Sequence, residues 1–318
     1  EVNMMENLQT IGEETKDIWG KYWEIVQPYR NLLWKYCLRL TGTPWDAEDL
    51  LQDTILKSFA SLSALSHRQQ NLKTKSYLFR VATNHWLDQC RRNQRLSNDE
   101  IDEENLSEEF IDSLEVSEAI LSLINNLTPR QAVVFILIES FGFKANEVAE
   151  LLSSSEGAIN GLLNRARKKL YEIREINEEV RKKESNINVQ SESVKEFIDA
   201  YNRKDFEGLA NMLNNNATFS FVEMNSKEYG KENILKYSLN PNKRTKLQNI
   251  YATCTHLFGK QAIIFTKQTA QGTMLFDVNT VEWENGKVTG WNCYYFCREF
   301  MQYVADHLEL PLAPMEMF

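Results

Sequence analysis

Hydrophobic positions in the first 193 residues recur at steps of three and four. Leu32, Leu33, Tyr36, Cys37 and Leu40, then Leu50, Leu51, Ile55, Leu56 and Phe59, have the spacing of amphipathic helices with one buried stripe. Val133, Val134, Leu137 and Ile138 give a third stripe, opened by Thr128 as N-cap and Pro129 at the first helical position. The last 125 residues differ, because they hold nineteen of the 35 Phe, Trp and Tyr residues. With β-branched residues and short turns beside them, that density predicts strands. An amphipathic helix pair precedes the strands, running from Val194 to Asp205 and continuing through Phe206, Leu209, Met212 and Leu213. Strands are expected near 217–223, 247–258, 261–270, 272–284 and 287–297, with Asn285-Gly286 as a hairpin turn. No internal repeat is visible. The pattern predicts a multidomain chain: two all-α modules, then an α+β domain.

Charge refines the division. The 318 residues carry a net charge of −9, which as a single figure argues against nucleic acid and anionic membranes as partners. Residues 96–118 alone hold ten acidic residues and no basic one, whereas 68–95 hold seven basic residues and one acidic, Asp88. A block of like charge repels itself and reads as a flexible acidic linker. The expected organisation is a helical module over 20–95, the linker over 96–118, a second module over 119–175, a polar connector over 176–193 and the α+β domain over 194–318.

Cys37, Cys90, Cys254, Cys293 and Cys297 are odd in number and lack framework spacing, so a reducing compartment is expected. Cys293 and Cys297 read as two thiols on one face of a strand rather than a metal site; no metal or cofactor is expected. The opening Glu1-Val2-Asn3-Met4-Met5-Glu6 has no signal-peptide character and suggests a translation start at Met4 or Met5. The longest apolar run, Ala132 to Ile138, is too short to cross a bilayer. A cytoplasmic protein without a membrane partner is expected.

Two stretches of the first module carry candidate chemistry. Asp46-Ala47-Glu48-Asp49-Leu50-Leu51-Gln52-Asp53-Thr54-Ile55-Leu56 is an acidic helix start, with Asp49, Gln52 and Asp53 on or beside a polar face that could dock a basic partner helix. The helix from Lys75 to Arg92 interleaves aromatic, amide and basic side chains. Cations contact phosphate, while rings and amides stack on or hydrogen-bond to exposed bases. A core helix explains Leu78, Val81, Ala82 and Leu87 but not Arg80, Asn84, Gln89, Arg91 and Arg92 together. Both stretches resemble the sigma factors of bacterial RNA polymerase, in particular the extracytoplasmic-function group. Asp46 to Thr54 is similar to their polymerase-clamp-binding segment. Tyr77-Leu78-Phe79-Arg80-Val81-Ala82-Thr83-Asn84, with Leu87-Asp88 and Arg91-Arg92, is similar to the promoter-melting segment that binds the −10 element. The resemblance implies core polymerase, through its clamp helices and flap, and promoter DNA as partners. It implies polymerase contacts from Asp46, Asp49, Leu50, Gln52 and Asp53. It further implies DNA contacts from Arg80, Asn84, Asp88, Arg91 and Arg92, with Tyr77, Phe79 and Trp86 as stacking candidates. Asp88 can instead orient a neighbouring basic side chain.

In the second module, Asn146 to Leu152, a three-serine turn, and Glu156 to Leu170 form a helix-turn-helix pattern whose second helix ends in cations. Leu127-Thr128-Pro129-Arg130-Gln131, Glu147-Val148-Ala149, Ser155-Glu156-Gly157 and Arg165-Ala166-Arg167 resemble the sigma domain that reads the −35 element. Ala158, Asn160, Gly161 and Leu162 stand where that family commonly has Thr, Lys, Ser and Arg, so upstream recognition is expected to be weaker or differently specified. Ser155, Asn160, Arg165, Arg167 and Lys168 are the expected DNA contacts there, with Lys169 also able to reach phosphate.

Residues 194–318 resemble the SnoaL-like, ketosteroid-isomerase-like cone fold, on Val194 to Asp205, Phe206 to Leu213 and Ala217-Thr218-Phe219. That resemblance implies a domain that packs on the sigma modules in cis and modulates promoter binding. Tyr201, Glu223, His256, Asp277 and Trp291 are candidates to line its cavity, but no pair has a spacing that fixes an acid/base role. Asp277 can instead be a solvent-facing strand residue, and His256 a satisfied core or surface histidine. The expected function is a non-enzymatic transcription initiation factor. The alternatives are a DNA-binding module fused to a small-ligand-binding or isomerase/hydrolase-like domain, and a helix-turn-helix regulator acting without polymerase.

Overall fold

The computed structural model describes residues 2–62, 73–96, 126–176, 192–223, 226–240 and 247–315. The acidic stretch from 97 to 118 and the connector from 177 to 191 lie outside the described residues. The chain forms two compact units, residues 1–181 and 182–318. No described helix is long and apolar enough to cross a membrane.

The first unit opens with α1 (Val2–Thr41), α2 (Pro44–Ala60) and α3 (Thr74–Leu96). Gly42, at φ +86°, turns the chain between α1 and α2. Thr43 caps α2 by accepting from the Asp46 N–H at 3.1 Å, with Pro44 in the first turn. Leu33, Tyr36, Cys37, Trp45, Leu50, Leu51, Ile55, Leu78, Phe79 and Ala82 are all buried and supply its core. Leu32, expected in the first stripe, is exposed because the stripe centres on Leu33, Tyr36, Cys37 and Leu40.

The unit continues with α4 (Pro129–Phe135), which widens into a π-turn over Ile136–Ser140, then α5 (Ala145–Leu151) and α6 (Glu156–Ile176). Thr128 and Gln131 form a capping box, as the Thr-Pro-x-Gln spacing implies. The π-turn adds a residue per turn and rotates the buried stripe, so Ile136 is fully buried and Ile138 only half-buried.

The second unit begins with α7 (Glu192–Asn202) and α8 (Phe206–Met212). Then come β1 (Leu213–Phe221), β2 (Ser226–Tyr229), the short α9 (Lys231–Lys236), β3 (Ile250–Leu257), β4 (Lys260–Thr269), β5 (Gly272–Glu284), β6 (Lys287–Cys293) and α10 (Arg298–His307). The sheet order is β2-β1-β6-β5-β4-β3, antiparallel except for the parallel β1–β6 pair. Asn285 and Gly286, at φ +51° and +73°, make the β5–β6 hairpin. The helices-first, sheet-after order of an α+β domain is thus observed. β2, α9 and α10 are additions to the expected elements. Cys293 ends β6, but Cys297 lies beyond it as the N-cap of α10, so the two thiols do not share a strand face. All five cysteines are free.

Candidate functional site

Helix α2 sorts its acidic residues by burial. Asp46 and Asp49 are exposed, while Gln52 and Asp53 are half-buried and engaged. Gln52 Nε2 donates to Glu48 Oε1 at 2.6 Å, and Asp53 Oδ2 meets His85 Nε2 of α3 at 2.7 Å. Leu50 is 1% exposed and belongs to the core, so it corrects the expected polymerase contact. Beneath this face, Glu48 is fully buried and accepts from Arg30 Nη2 at 3.1 Å. That pair and His85 were not singled out from the sequence. Both sit within helical stripes whose partners are distant in the chain.

Helix α3 presents Asn84, Arg91 and Arg92 to solvent. Asp88 is ion-paired with Arg91, the orienting role open to it from the sequence. Tyr77 and Trp86 are half-buried, and the Tyr77 hydroxyl donates to the Ser58 carbonyl at 3.4 Å. Phe79 is a correction to the stacking candidates, since it is fully buried. Its ring stacks on Tyr36 at 4.7 Å and meets Phe141 and Phe143 at 5.6 and 5.2 Å. Phe141 and Phe143 precede α5, so this aromatic cluster joins the two helical modules. Lys75 lies 4.6 Å over the Phe143 ring, and Arg39 lies 5.5 Å over Phe141. Arg80 Nη2 donates to the Glu150 carbonyl at 3.1 Å, placing its cation at the C-terminal end of α5. Arg80 is therefore engaged in this arrangement.

In the helix-turn-helix, α5 and α6 are separated by Leu152-Ser153-Ser154-Ser155, with Ser153 at φ +51°. Ser155 is exposed, and its hydroxyl accepts from the Ala158 N–H at 3.2 Å, serving as the N-cap of α6. Asn160, Arg165, Arg167 and Lys168 are exposed on α6, while Ile159, Leu163 and Ala166 pack inward. Arg167 Nε donates to Glu139 at 3.0 Å, and Lys168 pairs with Glu172 at 3.8 Å. Adding a Cβ at Gly157 would meet nothing within 4 Å, and one at Gly161 only Arg165 Nη1 at 3.6 Å. The reading face is thus open and lightly charged.

The second unit contains a cavity of about 260 Å³ between α7, α8 and the sheet. Tyr201, Asp277 and Trp291 line it, as expected. Glu223, half-buried in the turn after β1, and His256, exposed on β3, do not, which corrects those two candidates. Asp277 is buried rather than solvent-facing. Its Oδ1 accepts from the Val278 N–H at 2.7 Å, and its Oδ2 from Cys293 Sγ at 3.2 Å. Burial pushes its pKa up to about 7, held from rising further by the nearby Asn279 amide, the Cys293 thiol and the Val278 N–H. Burial likewise pushes the Tyr201 hydroxyl and the Cys293 thiol upward. Asn279 Oδ1 accepts from Trp291 Nε1 at 2.6 Å. Asn279 and Cys293 were missed, yet Asp277-x-Asn279 and Trp291-x-Cys293 share one face by alternation. Among the described residues, no group of three or more His, Cys, Asp or Glu side chains could hold a metal ion.

Comparison with known proteins adds to this geometry. Residues 25–96 match the profile of Sigma-70 region 2, and residues 117–170 that of Sigma-70, region 4. The ECF RNA polymerase sigma factor SigG of Mycobacterium tuberculosis is 28% identical over 187 residues, covering 49% of each chain. SigM of Bacillus subtilis, also an ECF RNA polymerase sigma factor, is 27% identical over 165 residues, covering 49% of this chain and 98% of SigM. The chain thus spans about half the length of its SigG relative and nearly all of SigM. Among solved structures, the extracytoplasmic function sigma factor SigJ of Mycobacterium tuberculosis aligns over 87% of this chain and 97% of its own, at 19% identity and a TM-score of 0.33. An NTF-2 like protein from Burkholderia xenovorans aligns over 40% of this chain and 85% of its own, at 13% identity and a TM-score of 0.27. The chain thus carries Sigma-70 region 2 over residues 25–96 and Sigma-70, region 4 over residues 117–170, and is similar there to extracytoplasmic-function sigma factors.

Proposed function

We propose that the chain binds core RNA polymerase, recognises a promoter and helps open it. The observation that carries this reading is the surface of the first unit. It combines an exposed acidic start on α2 (Asp46, Asp49), an amide- and cation-bearing face on α3 (Asn84, Arg91, Arg92) and a helix-turn-helix with exposed Asn160, Arg165 and Lys168. The acidic face suits the basic side of a polymerase clamp helix, with the flap as second contact. The α3 face suits phosphate and unpaired bases. Because Arg80 is bound to the Glu150 carbonyl, its use on DNA requires α3 to part from α5. The relatives' polymerase role supports this reading.

The test is association of the full chain with purified core polymerase, followed by size-exclusion chromatography. Asp46→Lys with Asp49→Lys is expected to weaken the complex at least tenfold, since each reverses a charge at the contact. Full retention of affinity, or no complex with the unaltered chain, would remove the proposal.

The C-terminal unit is proposed to modulate promoter binding in cis. Its covalent attachment to the promoter-reading modules supports that role. Truncation after residue 190 is expected to change open-complex yield, and identical yields would remove this part of the reading.

A further inference from the structure

Helix α6 turns Ile159, Leu163 and Ala166 into the helical unit. Its opposite face carries Gly157, Asn160, Gly161, Asn164 and Lys168, which recur at steps of three and four. Ser155, Arg167 and Lys168 are engaged within the chain: Ser155 caps the helix, Arg167 binds Glu139 and Lys168 pairs with Glu172. Asn160 and Asn164 are exposed, and neither amide has a hydrogen-bond partner among the described residues. Four residues apart, they stand one above the other on the helix surface.

The two glycines of this face add a second observation. A methyl at Gly157 would meet nothing within 4 Å, one at Gly161 only Arg165 Nη1 at 3.6 Å, and neither residue has a positive φ. Glycine in a helix is less favourable than alanine, because it loses more backbone freedom on folding. Among the described residues, neither packing nor backbone conformation calls for glycine at either position. A surface that approaches the helix closely from outside does call for it. The outward face of the helix-turn-helix thus presents two unengaged amides beside bare backbone.

We propose that α6 reads two adenines on one strand of the upstream duplex, with one base pair between them, one through Asn160 and the other through Asn164. This deepens the promoter-binding reading and rests on it. An Asn side chain matches the major-groove edge of adenine: Oδ1 accepts from the N6 amino group and Nδ2 donates to N7. Guanine presents two acceptors on that edge, which suit Arg or Lys rather than an amide. Four residues advance a helix by about 6 Å. That distance is close to two base steps of about 3.4 Å each. Bare backbone at Gly157 and Gly161 lets the helix sit deep enough in the groove for so short a side chain to reach a base. Arg165 and Lys169, exposed on the flanks, suit phosphate, which positions the helix without reading sequence.

The test uses the full chain bound to core polymerase and a library of linear duplexes that carry a long randomised segment. Sequencing of the bound duplexes is expected to show adenine, any base, adenine in the upstream part of the selected motif. Asn160→Ala should relax one adenine and Asn164→Ala the other, each by about tenfold, while Arg165→Ala weakens all duplexes alike. Asn160→Arg should turn its position from adenine to guanine. On the best duplex, 7-deazaadenine, with C–H in place of N7, should weaken binding of the unaltered chain by about tenfold at the Asn160 position and leave Asn160→Ala unaffected. That comparison separates base contact from the shape of A-rich DNA. A selected motif without the spaced adenines, adenines that persist when both amides are changed to Ala, or indifference to 7-deazaadenine would each overturn the proposal and leave the promoter-binding reading standing. No selection beyond that of core polymerase alone would remove both.

Discussion

Glu48 in the helical unit and Asp277 in the C-terminal unit are both buried carboxyls, and their surroundings differ. Glu48 faces the Arg30 guanidinium and the Gln52 amide, so its charge is balanced by a cation from α1. Asp277 faces the Asn279 amide, a thiol, a backbone N–H and an aromatic chamber, with no cation among the residues that line that chamber. A compensated buried charge fixes the relation of two helices. One that lacks a cation, beside open space, is a group that protonates near neutral pH. The helical unit therefore uses burial to hold a surface in place, and the C-terminal unit uses it to prepare an interior.

The largest expected effect comes from breaking the compensated pair. Arg30→Met leaves Glu48 buried without its cation and should cost the helical unit about 3–5 kcal/mol, read by urea unfolding. The double change with Glu48→Met should recover most of that loss. A single-variant loss below about 1 kcal/mol would mean that Glu48 is solvated in solution.

Asp277→Asn tests the other side of the comparison. With a folded pKa of about 7 against 3.8, the folded chain keeps a proton that the unfolded chain releases. Its contribution to stability is thus full below about pH 4, declines as pH rises toward 7, and is flat above. The wild type should lose up to about 4 kcal/mol across that window relative to Asp277→Asn, measured as the difference in unfolding free energy at pH 4 and pH 8. A pH-independent difference would show that Asp277 is ionised throughout.

A smaller effect is expected at the joint between the helical modules. Phe141 is half-buried against Tyr36 and Phe79, so Phe141→Ala should cost about 2 kcal/mol, below the loss for a fully buried ring. Loosening that joint should also free Arg80 and raise nonspecific DNA affinity across a salt series. Unchanged affinity would separate the aromatic cluster from DNA access. The smallest effect is expected for Gly161→Ala. It should raise the helical unit's stability by roughly 0.5–1 kcal/mol, because the added methyl meets only Arg165 at van der Waals distance. A loss in thermal unfolding temperature would point to packing at Gly161.

The helical unit was largely legible because its signals are local. Thr128-Pro129 specifies a helix start within four residues, as Asn285-Gly286 does the hairpin of the C-terminal unit, and the structure has both. Phe79 was misplaced for the opposite reason: an aromatic side chain within a polar motif does not reveal whether another helix covers it. Phe79 is covered by Phe141 and Phe143, more than sixty residues away. In the C-terminal unit, alternation could have joined Asp277 to Asn279 but not to Phe276. Phe265 pairs with Asp277 and Thr266 with Leu275, so Phe276 is an extra, bulged residue and both it and Asp277 reach the cavity. β2 is only four residues long and mostly exposed, which leaves no apolar pattern to read.

The central claim is tested most directly by run-off transcription from a library of promoter fragments with purified core polymerase, with and without the full chain. Discrete, promoter-dependent transcripts are expected only when the chain is present, and are expected to be lost when Asn84, Arg91 and Arg92 are all changed to Ala. Transcription no different from core polymerase alone, on every fragment, would contradict it.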